Sequence, residues 1–146
     1  MVELVAVIVV LSVLSAVAIP KFLDYRTRAM GTAIAANLRL YSQACHAYLR
    51  DHGRWPGTDG SGGLGSDLDA YIEHGTMNFP TPPGFAFFDG AADGSTPPSV
   101  GLYATKIPIA AVTIADQLAD DGDVSTGFMT GGTYGSGNTW IEYRPQ

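Results

Sequence analysis

The sequence is poor in cysteine, basic residues and glycosylation signals, and each shortage excludes a class of protein or modification. Cys45 is the only cysteine among 146 residues, so no disulfide can form within the chain. Eight basic residues stand against 14 acidic ones, giving a net charge of -6. So few cations cannot neutralise a phosphate backbone, and we expect no nucleic-acid partner. No asparagine stands in an Asn-x-Ser/Thr sequence, which excludes that signal for N-linked sugar.

The chain also lacks the residue groupings that enzymes use. His46, His52 and His74 have no spacing typical of zinc ligands. No Gly-x-Ser-x-Gly turn is present, and Ser, His and Asp residues are scattered without the spacing of a triad. We therefore expect no catalytic residues and no required cofactor.

The sequence is rich in apolar residues at its start. No charged residue occurs between Glu3 and Lys21, a length near the lower limit for a bilayer span. A secretory signal peptide has basic residues before its apolar core, whereas here an acid precedes the run and the basic residues follow it. The segment therefore indicates a membrane-length helix rather than a cleaved secretory signal.

The helical pattern continues beyond Pro20. Apolar residues then recur every three or four positions and predict one buried face of an amphipathic helix. That face consists of Met30, Ile34, Leu38, Tyr41, Cys45 and Tyr48. A proline inside a helix removes a hydrogen bond, so we expect one long helix that is kinked or locally melted near Pro20. The alternative is two helices, with Pro20 in the first turn of the second.

Turn signals and short β-rich segments dominate the rest of the chain. Strands are predicted at 85–89, 100–105, 109–114 and 139–143, with Gly131-Gly132 as a turn. Short helices are predicted at 66–73 and from Thr113 to Asp120. The predicted fold class is α+β, a long N-terminal helix packed on a small antiparallel sheet. The predicted helix occupies 1–52, with 1–20 of transmembrane length and 21–52 amphipathic, and 53–146 is predicted to form a globular, β-rich head with glycine-rich loops.

The start of the chain resembles the type IV pilin superfamily. Met1-Val2-Glu3-Leu4 matches the family's mature N-terminus from its third residue onward, and Pro20-Lys21-Phe22 matches its helix-melting segment. The family's basic leader, cleavage glycine and first two mature residues are absent from the printed sequence. Either Met1 is an internal methionine taken as a start, or those residues were left out.

The resemblance implies a pilin fold and a structural role in a helical homopolymer. Glu3 is then expected to meet the N-terminal amine of a neighbouring subunit, and Pro20 to allow local unwinding. The other residues expected to mediate subunit assembly are Leu4, Val7, Leu11, Leu14 and Phe22. The implied partners are the inner membrane before assembly, a prepilin peptidase and the pilus assembly machinery. The implied destination is an extracellular filament or a periplasmic pseudopilus.

Two alternatives to a surface pilus stay open. Gly53-Arg54-Trp55-Pro56 resembles a segment of type II secretion pseudopilins, although we expect Trp55 simply to anchor the loop on the helix. Major pseudopilins hold calcium in a C-terminal loop, and the candidate ligands here are Asp120, Asp121, Asp123 and Ser125. The alternative is that these residues form an ordinary Asp-Gly turn with solvated carboxylates. The other alternative is a membrane-anchored module that binds a ligand through its sheet.

Two proline-flanked segments are candidates for O-linked glycosylation, against the interpretation of plain turns. Their hydroxyl residues are Thr81, Ser95, Thr96 and Ser99.

Overall fold

We describe the protein from a computed structural model. The description covers residues 2–57, 66–72, 78–79, 84–91, 93–105, 107–134 and 138–144. His74, Thr81 and the predicted glycine-rich connector at 60–65 lie outside these residues.

A single helix of 51 residues, α1, runs from Val2–His52. It passes through Pro20 with helical backbone on both sides, so the prediction of one continuous helix is confirmed and the alternative of two helices is wrong. Local melting at Pro20 is not seen in this single subunit. The residue after the helix, Gly53, has a φ of 69°, the left-handed conformation that glycine adopts at low cost, and its N–H donates to the Leu49 carbonyl at 2.8 Å.

The second half of α1 carries the predicted amphipathic face. Ile34, Leu38, Tyr41, Cys45 and Tyr48 are buried, and Met30 packs against them at the edge. Polar residues cover the solvent side of the same turns, namely Arg26, Arg39, Gln43, His46 and Arg50.

A second helix, α2, spans Ile109–Ala119 and crosses α1. The prediction of a strand at 109–114 is wrong, and so is the prediction that a helix begins only at Thr113. Pro108 precedes the first turn, a position where its fixed φ and missing N–H suit a helix start. Ala111, Val112 and Ala115 are buried at helical spacing, so packing against α1 overrides the β-branched composition.

Five antiparallel strands form one sheet in the order β1-β2-β3-β5-β4. Their bounds are β1 Asn78–Phe79, β2 Gly84–Asp89, β3 Ser99–Thr105, β4 Met129–Tyr134 and β5 Asn138–Tyr143. Three of the four predicted strands are confirmed. β1 was not predicted, and β4 contradicts the turn predicted at Gly131-Gly132.

Gly131 has a packing reason to be glycine inside a strand. A Cβ added there would stand 2.7 Å from Val112 Cγ1 of α2 and 2.9 Å from the Trp140 carbonyl oxygen. Glycine in a strand often marks such a close approach. Gly131 and Gly132 are therefore compatible with the interior of β4, although their sequence suggested a turn.

The core lies where α1, α2 and the sheet meet. Ile34 and Leu38 of α1, Val112 of α2, and Leu102 and Ile141 of the sheet are each at most 2% exposed. The predicted helix at 66–73 is limited to a 3₁₀ turn over Ser66–Leu68, followed by turns through Ile72, which places Leu68 in this core. The α+β class, a long helix on a small antiparallel sheet, is confirmed.

Candidate functional site

The first half of α1 is an apolar surface that nothing in the subunit covers. Fourteen large apolar side chains between Val2 and Leu23 are 52% to 84% exposed. The predicted assembly residues Leu4, Val7, Leu11, Leu14 and Phe22 are all among them. Judged by length and composition alone, α1 is long and apolar enough to cross a membrane.

Charge is confined to the two ends of this surface. Glu3 lies in the first turn and is exposed, where a carboxylate suits the positive end of the helix dipole. Lys21, Asp24 and Arg28 follow Pro20 within the next eight residues of the helix. The structure contains one subunit, so the roles of Glu3 and Pro20 between subunits stay predictions.

At the other end of α1, an aromatic contact fixes the chain as it enters the head. The Trp55 and His46 rings meet edge-on with centroids 5.3 Å apart, and Trp55 N–H donates to the Gly94 carbonyl at 3.2 Å. The predicted anchor role of Trp55 is confirmed. Asp67 reinforces it by accepting from Gly57 N–H at 3.1 Å, and this hydrogen bond is the main reason that the pKa of Asp67 is lowered.

The acidic loop after α2 is organised around backbone N–H groups. Asp120 accepts hydrogen bonds from the N–H groups of both Phe128 and Met129, with the Met129 distance at 3.0 Å. Gly127, with φ of 85°, lies directly against the Asp120 carboxylate and leaves no room for a Cβ. Asp120 therefore links the end of α2 to the start of β4.

Two of the predicted calcium ligands, Asp120 and Asp121, belong to a group of converging carboxylates, and Asp123 is not in that group. Asp123 Oδ1 instead accepts from the Ser125 hydroxyl at 2.6 Å and the Ser125 N–H at 3.0 Å, as in an ordinary polar turn. That hydroxyl bond is the main cause of the lowered pKa of Asp123. Asp120 and Asp121 converge with a residue that was not predicted, Asp116 of α2, and one carboxylate oxygen from each lies within 4.8 Å of the others.

Asp116 is the most unusual charged residue in the described part of the chain. Its side chain is 0% exposed, and neither carboxylate oxygen accepts a hydrogen bond from any described residue. Burial, and then the charges of Asp121 and Asp120, raise the pKa of Asp116 to about 6. The nearby N–H of Gly122 opposes this rise but does not reach hydrogen-bond geometry. Asp120 is the residue that follows the end of α2, four positions after Asp116, so the spacing brings the two carboxylates to the same end of the helix.

The glycosylation candidates differ in accessibility. Ser95 and Thr96 are exposed in the loop before β3, whereas Ser99 is 6% exposed at the start of that strand. O-glycosylation stays a prediction, and among the described candidates the exposed pair is better placed for it.

Two curated relatives show which kind of protein this chain resembles over part of its length. The chain is 33% identical over 69 residues to the fimbrial protein of Neisseria meningitidis serogroup A strain Z2491, and equally to that of serogroup B strain MC58. The match covers 47% of this chain and 41% of each relative, so the chain spans less than half the length of the relatives that it matches. The resemblance to type IV pilins is confirmed. No family model and no solved structure matches the chain.

The two halves of α1 have different surroundings in this pilin-like fold. The pilin-like helix presents its apolar half outside the head, while its other half completes the core of the head. Any contact between subunits through the apolar half is thus available without unfolding the head.

Proposed function

We propose that the chain is a structural subunit that polymerises into a type IV pilus-like extracellular filament. The observation that carries the proposal is the uncovered apolar half of α1, projecting from a folded head. The fimbrial relatives support a filament over other uses of an exposed apolar helix.

The apolar half of α1 has to be covered by membrane lipid before assembly and by copies of itself afterwards. Leaving a half-exposed Val or Leu side chain in water costs about 1 kcal/mol, so the segment is stable in a membrane or against copies of itself. Lipid covers the segment as well as sister helices do, so the transfer from membrane to filament gains little from hydrophobicity. Once the fibre stands in water, the same term opposes the loss of a subunit.

The charge of Glu3 favours the transfer of the helix from the membrane to the filament. A carboxylate without a partner in hydrocarbon costs at least a few kcal/mol, and an opposite charge offsets much of that cost. The N-terminal amine of a neighbouring subunit is the expected opposite charge. Before this step the chain is expected to reside in the inner membrane and to be processed by a prepilin peptidase.

A charge-neutral substitution of Glu3 tests the proposal. Glu3→Gln keeps the size of the side chain, and we expect at least a tenfold loss of chain recovered in fibres sheared from the cell surface, with the membrane-bound amount unchanged. Asp69→Asn changes an exposed carboxylate of the head and should leave fibre yield as in the wild type. The role of charge pairing would be contradicted if Glu3→Gln gave the wild-type yield of fibres and if Glu3 lay far from any amine in wild-type fibres.

A major pseudopilin of type II secretion is the second candidate, favoured by the acidic site beside α2 and by the Trp55 anchor. Deleting the gene distinguishes the two. Loss of surface fibres with normal protein secretion supports the pilus, whereas secretion failure without surface fibres supports the pseudopilus. A chain that stays monomeric in the membrane in wild-type cells would support the tethered binding module.

A further inference from the structure

Basic residues are concentrated where the apolar half of α1 ends. Lys21, Arg26 and Arg28 are three of only eight basic residues in a chain whose net charge is -6, and Asp24 is the one acid among residues 21–28. All four side chains are exposed. Residues 21–28, called the collar below, therefore form a positive region in an otherwise strongly acidic protein.

The charges of the collar have no partner within the subunit. Lys21, Arg26 and Arg28 take part in none of the ion pairs found among the described residues. Asp24 stands three residues after Lys21 and four before Arg28, spacings at which side chains on a helix are neighbours, yet it forms an ion pair with neither. The collar is thus free to bind a charged group outside the subunit.

Basic side chains lie on more than one side of the helix. Lys21 and Arg28 are seven residues apart, which is close to two turns, so they share a face of α1. A surface groove of about 260 Å³ on this face is lined by Lys21, Asp24, Tyr25 and Arg28. Arg26 instead lines a second groove of about 280 Å³ with Pro108 at the start of α2. The collar therefore fits an extended anionic layer around the helix better than a single small anion.

The length of the apolar half places the collar at a membrane surface. Lys21 follows Glu3 by 18 residues. At the rise of an α-helix the two lie about 27 Å apart, close to the thickness of about 30 Å of a bilayer hydrocarbon core. Tyr25 is 70% exposed, and tyrosine is typical of the headgroup level. This placement rests on the proposed function, in which the apolar half resides in a membrane before assembly.

We propose that the collar binds the anionic phospholipid headgroups of the leaflet next to the head, and so retains the subunit in the membrane until assembly. Basic residues beside a spanning helix normally lie on the cytoplasmic side, so a positive segment next to an exported head is unusual and points to a local partner. Lys and Arg donate to phosphate oxygens, and a lipid with net negative charge adds the attraction that a zwitterionic lipid lacks. Each basic residue near such a leaflet is worth about fivefold in affinity, and Asp24 opposes this attraction.

The test uses the full chain reconstituted in phosphatidylcholine vesicles that contain a trace of spin-labelled lipid. Electron paramagnetic resonance then compares how strongly labelled phosphatidylglycerol and labelled phosphatidylcholine associate with the chain. At 0.1 M NaCl we expect phosphatidylglycerol to be preferred by at least about fivefold. At 1 M NaCl, where the Debye length is about 3 Å, the preference should fall below about twofold.

Substitutions of opposite sign identify the residues responsible. The double variant Lys21→Gln and Arg28→Gln should reduce the preference to below about twofold, whereas Asp24→Asn should raise it above that of the wild type. Arg50→Gln removes an exposed basic residue at the other end of α1 and should leave the preference unchanged. Circular dichroism checks that the helix content of each variant is that of the wild type.

The yield of sheared fibres is measured separately for the same variants, and we expect the double variant to form fibres. Equal association of the two lipids with the wild type would overturn the inference, and so would an unchanged preference in the double variant. If that variant kept the lipid preference and lost fibres, the collar would instead pair with carboxylates of a neighbouring copy. A lipid preference without wild-type fibres would support the inference and contradict the proposed function. A chain left outside the vesicles would overturn the membrane placement on which the inference rests.

Discussion

The contact between the two helices at Gly31 allows a prediction in which two opposing effects can be weighed. Gly31 is buried in α1 where α2 crosses it. A Cβ added there would stand 2.7 Å from the Ala111 carbonyl oxygen and 2.8 Å from Cβ and Cγ2 of Ile114. All these distances are shorter than real Cβ contacts, and one of them is to backbone, which cannot rotate away.

Replacing Gly31 by alanine therefore gains helix propensity and loses packing. Alanine is more favourable than glycine in a helix interior by about 1 kcal/mol. Forcing a methyl group into a filled site costs about 1–3 kcal/mol, and the three close contacts place this site at the upper end. We expect Gly31→Ala to lower the free energy of unfolding of the head by about 1–2 kcal/mol, and Gly31→Val to lower it further.

The assay is chemical denaturation of the full chain in micelles, followed by tryptophan fluorescence. Ala36→Gly serves as the control, because Ala36 is exposed on the same helix and the change measures propensity alone. That control should lose about 1 kcal/mol. If Gly31→Ala instead raised stability by as much as the control lowers it, the close crossing of α1 and α2 would be refuted.

Three further predictions concern buried polar groups. Because burial raises the pKa of Asp116 to about 6 from 3.8, its neutral form is favoured in the folded state, and stability is lost as pH rises between these values. In chelator, Asp116→Asn should therefore gain up to about 3 kcal/mol on the wild type between pH 4 and pH 7.5, as measured by denaturation at each pH, whereas a constant difference would contradict the shift. Burial likewise raises the pKa of Cys45 to about 12, so iodoacetamide should label it only after denaturation, and rapid native labelling would show that it is accessible. The buried Thr139 hydroxyl donates to the Ile107 carbonyl at 2.6 Å, so Thr139→Val should cost about 1–3 kcal/mol in denaturation and Thr139→Ser should cost less. Equal losses in the two variants would instead assign the effect to packing.

Features set by local periodicity were predictable from the sequence. The buried face of α1, from Ile34 to Tyr48, follows from apolar residues at helical spacing, and the helix end follows from Gly53 and Pro56. Strands β2, β3 and β5 carry aromatic or β-branched residues between turn signals, and their predicted bounds differ from the observed ones by one residue.

Features set by contacts across the fold were not predictable. The segment at 109–114 is β-branched enough to suggest a strand, whereas in the structure it is helical and packs against α1 and β4. Gly131 suggested a turn because the close approach of Val112 cannot be seen in the sequence. Asp116 was overlooked for the same reason, since its burial and its convergence with Asp121 arise only when α2 and the following loop are in place.

The central claim is that the apolar half of α1 forms a filament core with Glu3 paired to a neighbour. Cryo-electron microscopy of fibres sheared from the cells tests it most directly. The account predicts a helical assembly of this chain with residues 2–23 of neighbouring copies in contact at its centre. It also predicts the Glu3 carboxylate within hydrogen-bond distance of an N-terminal amine, and local unwinding at Pro20. Fibres that lack this chain, or that hold it with the apolar half of α1 away from other copies, would contradict the claim.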